Sequence, residues 1–523
     1  MKKNTLIAVL IAATLILPLF AFGTGVSAAW DGESSSTAFS GGTGEEATPY
    51  VILTENDLAR LAKTCNEGET YSGVFFKLEG DLDLGNKPWP VIGAGTAIFS
   101  GSFDGGEHTI TGLYVDVAGD YAGLFGNTKD AVIKNLTIEA TLIKSLKYSG
   151  AVAGQITVTP DTGRVEISNV HVEKIDKIIG TTFGGIVGRS STTGAGMQMF
   201  ITGCSVKNAN FESFPDDVTG VAAAAIKNAF VGGIVGAAGA LTIEGCSTEN
   251  LTFDCGGTQC SAYVTLGGLV GVQGASNVRC DIINSYAINN SYVLRETSTA
   301  PDEKCVCGGL VGRAGHAVMD SRIINSFSFG NTFNNKKVAE NWGGITGYIL
   351  NWINTANLWH DTEKGYAIDS GEQDYPTMNK VTADDFKAAD AVENLKLNDG
   401  NSKVVWIASP ADGHPIVDLT ALAENENTTV AWDPLAVVET TAGEGEATTA
   451  ADEPEQTTGA EVEQTTAAEP EQTTAAQPEQ TTGKTETTTA APKDEKKGCG
   501  SAVSLIVPVM VLGAAILVRS KKD

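Results

Sequence analysis

The sequence predicts an all-β protein: a parallel β-helix (solenoid) with short helical caps, a disordered stalk and one C-terminal transmembrane helix. Three observations predict it. Glycine supplies 60 of the 523 residues, about 11% where about 7% is ordinary. A glycine phrase recurs seven times, with a second, Ile-containing phrase following six of its copies. Both ends of the chain differ sharply in composition from the middle. The expected boundaries are 1–28 export signal, 29–48 leader linker, 49–425 β-helix, 426–499 stalk, 500–518 transmembrane helix and 519–523 basic tail. Length alone would allow three or four ordinary domains, but repeat arrays escape that prior because each coil needs only its neighbours.

The first element is a signal peptide. Lys2 and Lys3 precede an apolar run, and Val26-Ser27-Ala28 offers small residues at the cleavage positions. Next, Thr54 with Asp57 three residues later, and Leu58 and Leu61 behind, fits an N-capped short helix that covers the first coil.

The repeat itself begins with a glycine column. It reads Gly123-Leu124-Phe125-Gly126, Gly150-Ala151-Val152-Ala153-Gly154, Gly184-Gly185-Ile186-Val187-Gly188 and Gly232-Gly233-Ile234-Val235-Gly236. It continues through copies ending at Gly271, Gly312 and Gly347. The unequal spacing of the final glycines implies a constant unit with loops of variable length. A second column reads Ile133-Lys134-Asn135, Ile167-Ser168-Asn169, Ile201-Thr202-Gly203, Ile243-Glu244-Gly245, Ile282-Ile283-Asn284 and Ile323-Ile324-Asn325. Asn and Gly enter left-handed backbone most cheaply, so each copy reads as a strand that turns a corner. Stacked corners build a parallel β-helix with inward aliphatic ladders about 4.8 Å apart, and the phrase glycines are expected to let the backbone turn tightly. After the repeats, Thr382 with Asp384, Asp385 and Phe386 fits a second capping helix before Trp406 and Pro415.

The stalk repeats Glu-Gln-Thr-Thr at Glu455, Glu463, Glu471 and Glu479 and carries a net charge of −10 over residues 439–497. Self-repulsion and proline favour an extended chain there. Beyond it, Ser501 to Val518 is uncharged and is followed by Arg519, Lys521 and Lys522, the pattern of a spanning helix with basic residues inside. Cys499 at the membrane edge reads either as a lipidation or processing site or as a free thiol.

The stretch from Thr43-Gly44 through Pro49-Tyr50-Val51-Ile52, Asp81-Leu82-Asp83-Leu84-Gly85 and Phe99-Ser100-Gly101-Ser102-Phe103-Asp104-Gly105-Gly106 to Gly126 resembles the start of GLUG-repeat β-helix domains of bacterial surface proteins. The sequence departs from that pattern from the third copy onward, where Cys and Ser replace the apolar residue after the corner. The resemblance implies a right-handed parallel β-helix on an extracellular, adhesin-like protein. It implies no catalytic residues.

Among the cysteines, Cys204 and Cys246 share a column of adjacent copies, which fits either a buried thiol ladder or a bond. Cys255, Cys260, Cys280, Cys305 and Cys307 sit in or beside the longer insertions, where loop disulfides are open to them. Cys305-Val306-Cys307 lacks the spacing of a zinc site, so no metal and no cofactor is expected. The formal charge of −28 argues against nucleic acid as a partner.

The acids and bases an enzyme would need, Asp161, Arg164, Asp216, Asp217 and Asp254, fall in loops of different copies without periodicity. Asp81 and Asp83 read as an outward acidic strand face, and His108, His171, His316, His360 and His414 match no catalytic or metal motif. The expected function is therefore non-catalytic. It is surface display, adhesion or surface-layer formation, with a host, neighbour-cell or carbohydrate ligand bound through the insertions at 215–228, 254–262 and 292–304. Their Phe214 and Tyr292, with Tyr263 nearby, are the expected contacts. The alternatives are a carbohydrate-active β-helix enzyme, a polysaccharide lyase or hydrolase, and a non-catalytic accessory binding domain.

Overall fold

The computed structural model describes residues 30–34, 36–191, 198–216, 226–275, 278–315, 321–350, 353–369, 378–382, 406–409 and 414–418. The signal, the second capping helix, the stalk, the transmembrane run, Cys499, Asp217 and His316 lie outside these residues. No helix among the described residues is long and apolar enough to cross a membrane.

Parallel strands stack coil upon coil, as the two columns require. The inward ladder runs Phe103, Ile133, Ile167, Ile201, Ile243, Ile282 and Ile323 in continuous register, and all seven are buried. A β-branched side chain fits this half-pleated interior, and each gains from the one above and below it. The predicted corners are where the backbone turns left-handed: Asn135, Asn169, Gly203, Gly245, Asn284 and Asn325 have φ between 50° and 63°, and an unforeseen seventh, Asn357, has φ 51°. Their amides form a ladder of their own. Asn169 donates to Asn135 at 3.1 Å, Asn325 to Asn284 at 2.5 Å and Asn357 to Asn325 at 2.6 Å.

The glycine phrase spans the turn between a seven-stranded and an eight-stranded parallel sheet, and its final glycines lie on strands of the latter. Here the structure corrects the expected reason for glycine. None of Gly126, Gly154, Gly188, Gly236, Gly271, Gly312 or Gly347 has a positive φ. They are glycine because a Cβ would have no room: one on Gly188 would lie 2.5 Å from the Gly154 carbonyl oxygen, and one on Gly271 2.5 Å from that of Gly236.

The lower end is closed by the helix Glu55–Asn66, which starts with a reciprocal capping box between Thr54 and Asp57 and buries Leu58, Leu61 and Cys65. The segment expected as a leader linker packs onto this end: Trp30 is buried and lies 5.7 Å from the Trp89 ring, and Ser40 donates its backbone N–H to Val51. Near the other end, Trp406–Ser409 pairs antiparallel with His414–Val417, and Trp406 lies 5.4 Å from the Phe327 ring.

One column went unforeseen. Phe211, Phe253, Tyr292 and Phe333 stack at 4.8 to 4.9 Å between ring centroids, down the middle of the upper coils. Tyr292, expected as a ligand contact, is fully buried in this stack and its hydroxyl donates to the Gly309 carbonyl at 3.2 Å. Phe214 is also buried. Neither is placed to meet a ligand.

Candidate functional site

The cysteines line the interior rather than clip loops. Cys255, Cys280, Cys305 and Cys307 lie on strands, Cys260 lies in a turn, and all five are buried free thiols. Burial raises Cys260 to about 12 and lifts Cys255, Cys280, Cys305 and Cys307 as well, which removes thiolate character at neutral pH. Cys204 and Cys246 are neighbouring buried thiols that point at the carbonyls of Ile167 and Ile201, at 3.6 and 3.4 Å.

The described acids and bases suggested for an enzyme each meet a local partner, and they fall in two groups, Asp161 with Arg164 and Asp216 with Asp254. Asp161 occupies a turn at φ 64° and its N–H bonds Gln198 at 3.1 Å. Arg164 pairs with Glu166 and lies over the Phe200 ring. Asp216 accepts from the Thr258 N–H at 2.8 Å, and Asp254 pairs with Arg295 at 2.8 Å. Asp81, just before the strand Leu82–Asp83, and Asp83 on it are both exposed. The Thr109 N–H, and then His108, hold the Asp81 carboxyl below its ordinary range, while Asp83 accepts from the Gly85 N–H.

His171 and His360 are held below the usual imidazole range by burial. Buried His414 sits beside the rings of Tyr286 and Phe327. Among the described residues no group of three or more His, Cys, Asp or Glu could hold a metal.

The structure instead assembles aromatic and cationic side chains on the outer faces of the two sheets that meet at the glycine turn. On the eight-stranded sheet the residue after each final glycine stands in one row: Asn127, Gln155, Arg189, Ala237, Val272, Arg313, Tyr348. On the seven-stranded sheet Tyr121 stacks on Tyr148 at 5.8 Å, and Phe230 meets Tyr263 at 6.0 Å. Arg189 donates to the Tyr148 hydroxyl at 2.8 Å and lies 5.4 Å from its ring. Three coils on, the Arg313 guanidinium lies 4.8 Å from the Tyr263 ring and 5.6 Å from that of Tyr348, and Lys304 Nζ lies 4.9 Å from Tyr263.

A cleft of about 40 Å³ opens there, lined by Tyr263, Thr265, Glu303, Lys304, Val306, Arg313 and Tyr348. Of these the sequence had pointed to Glu303 and Lys304, which end the insertion 292–304, and to Tyr263 as a neighbour of an insertion. The signal that was available is positional: the residue after each glycine phrase must face outward because the glycine before it packs against the next coil.

A second unforeseen group is buried and ionic. Asp281 accepts from Arg322 at 2.7 Å and from Arg279 at 2.8 Å, with Asp281 only 2% exposed. Removing one member of such a group leaves a stranded charge, which assigns it to the upper coils' architecture.

No protein-family model matches the chain, and no curated protein matches it. Among solved structures it is similar to a chain described as a "putative immunoglobulin A1 protease from Bacteroides ovatus". The likeness has 19% identity over 74% of this chain and 97% of that one, with a TM-score of 0.46. It is too distant to bear on what this chain does.

Proposed function

We propose that this protein is a stalk-displayed, surface-anchored β-helix of the GLUG-repeat kind, right-handed, exported by its N-terminal signal and held by a C-terminal transmembrane helix. It binds and displays without turning over a substrate. The observation that supports this reading best is the division of labour in the repeat. Every recurring side chain is an interior aliphatic, a stacked ring or a corner amide, whereas the outward positions change from coil to coil. A rigid scaffold with variable outer residues suits recognition, and an acidic spacer of net −10 suits presentation away from a membrane.

Protease treatment of intact cells tests the display. It should release a fragment ending within residues 426–499, while protection of the β-helix until the cells are lysed would reject the orientation. Incubating the released fragment with pectin, glucan and peptidoglycan should yield no new reducing ends. Release of reducing sugar, abolished by Asp216→Ala or Asp254→Ala, would favour the carbohydrate-active enzyme instead.

A further inference from the structure

The cleft around Arg313 differs from the rest of the surface in three ways that point to a ligand. First, it is locally positive in a chain of net charge −28: its lining holds Lys304 and Arg313 against Glu303. Among the described residues no carboxylate lies within 4 Å of either cation, although other lysines and arginines of the array pair with acids in just that way. Second, Thr265 lines the cleft, is fully buried, and its Oγ1 has no hydrogen-bond partner among the described residues. A buried hydroxyl without a partner is destabilising, and a polar group seated in the cleft would satisfy it. Third, the Arg313 guanidinium is held between two tyrosine rings. A ring over the guanidinium face leaves its planar N–H edge free for a carboxylate or sulfate.

Size and spacing narrow the ligand. The cleft has room for a group the size of a carboxylate or sulfate. A long ligand lying across the sheets can engage it through one such substituent. The same pairing of arginine and tyrosine recurs at Arg189 and Tyr148, three coils away in the same row, which is roughly 14 Å at strand spacing. Tyr121, Phe230 and Tyr348 add ring surface along that row. An anion seat at Arg313 beside a run of partly exposed rings fits a polymer with negative charges and apolar sugar faces. Nucleic acid fits poorly, because its phosphates are far denser than one cation per roughly 14 Å and the whole chain repels them.

We infer that the face formed by the seven- and eight-stranded sheets binds an acidic polysaccharide along the coil axis, with a carboxylate or sulfate seated on Arg313 and Thr265 and sugar rings against the tyrosines. This deepens the display reading, because it names the ligand class and extends the contact from the insertion 292–304 onto the sheets.

Calorimetric titration of the full chain with polygalacturonate and chondroitin sulfate oligosaccharides tests it, with neutral dextran, poly-glutamate and single-stranded DNA as comparison ligands. The expected result is binding to at least one acidic glycan and to none of the comparison ligands. Arg313→Gln should weaken that binding by at least about tenfold, equivalent to about 1.4 kcal/mol, while Lys63→Gln on the capping helix leaves it unchanged. Thr265→Val separates recognition from folding. It should bind several-fold more weakly while its melting temperature stays level or rises, since an unpaired buried hydroxyl is replaced by a methyl group.

Failure of the wild-type chain to bind either acidic glycan overturns the inference. So do equal binding of poly-glutamate or DNA, and wild-type affinity in Arg313→Gln. Release of the fragment from intact cells by protease, measured separately, shows whether display itself has failed.

Discussion

The repeat contains two glycine-bearing columns that look alike in the sequence and differ in their physics. At the corner column, Gly203 and Gly245 alternate with Asn135, Asn169, Asn284, Asn325 and Asn357, and every member sits at a left-handed φ. At the phrase column, glycines from Gly126 to Gly347 have ordinary φ, yet the backbone of the neighbouring coil stands where a Cβ would go. The corner demands a conformation, which Asn supplies nearly as well as Gly. The phrase demands empty space, which only glycine supplies. That difference explains why the amide enters one column and not the other.

The sharpest way to break this comparison is to add one methyl to the phrase column. In Gly309→Ala the new Cβ would lie 2.0 Å from Ser328 Oγ and closer still to the Gly344 carbonyl oxygen. Backbone cannot give way cheaply between two stacked coils, so the loss of stability should exceed about 3 kcal/mol, above the usual range for overpacking. Gly119→Ala is the matched control. Nothing lies within 4 Å of its would-be Cβ and its φ is ordinary, so it should be neutral or stabilising by up to about 1 kcal/mol. Urea midpoints of the two variants decide the matter, and equal midpoints would refute the packing account.

An effect of similar size is expected at the corner column, and it divides into two parts. Asn325→Ala loses the tolerance for left-handed backbone and both ladder bonds, to Asn284 and from Asn357. Conformation accounts for about 1–2 kcal/mol and each hydrogen bond for about 1 kcal/mol. Asn325→Gly loses only the bonds, so its destabilisation should be roughly half that of Asn325→Ala. Equal destabilisation in the two variants would show that the amide ladder rather than the turn governs this corner.

Most of the corner logic was legible because each copy repeats the same local chemistry: a β-branched inward residue, then Asn or Gly two positions on. The capping helix was legible for a similar reason, since Thr54 and Asp57 satisfy each other locally. The aromatic stack was written just as regularly, eight residues after the corner at Phe211, Phe253, Tyr292 and Phe333, but only in the upper coils. A further corner at Asn208, Asn250, Asn289 and Gly330 was missed for the same reason. In the copies of Asn135 and Asn169 unbroken strands, Val132–Lys144 and Val165–Ile179, run through that position. The Arg313 cleft was harder to see. Its members come from separate coils and two sheets, so nothing in their sequence spacing shows that Tyr263, Arg313 and Tyr348 meet.

The smallest expected effect comes from pH, through the histidine that bonds the corner column. His171 Nε2 donates to Asn169 Oδ1 at 3.0 Å and Nδ1 accepts from Ser205 at 2.8 Å, an arrangement that suits the neutral ring. Burial holds its pKa below the ordinary value of 6.5, with Glu173 opposing in part. The unfolded chain therefore takes up a proton before the folded chain does, and folding loses stability as pH falls below about 6.5. The loss ends once pH has passed below the folded-state pKa. For one group the slope cannot exceed about 1.4 kcal/mol per pH unit. His360, also lowered by burial, contributes with the same sign. Urea midpoints measured at pH 7.5 and 5.5 should show the wild type losing more than His171→Gln, whose side chain keeps a donor and an acceptor but does not titrate. An identical loss in both proteins would show that the corner histidine is indifferent to protonation.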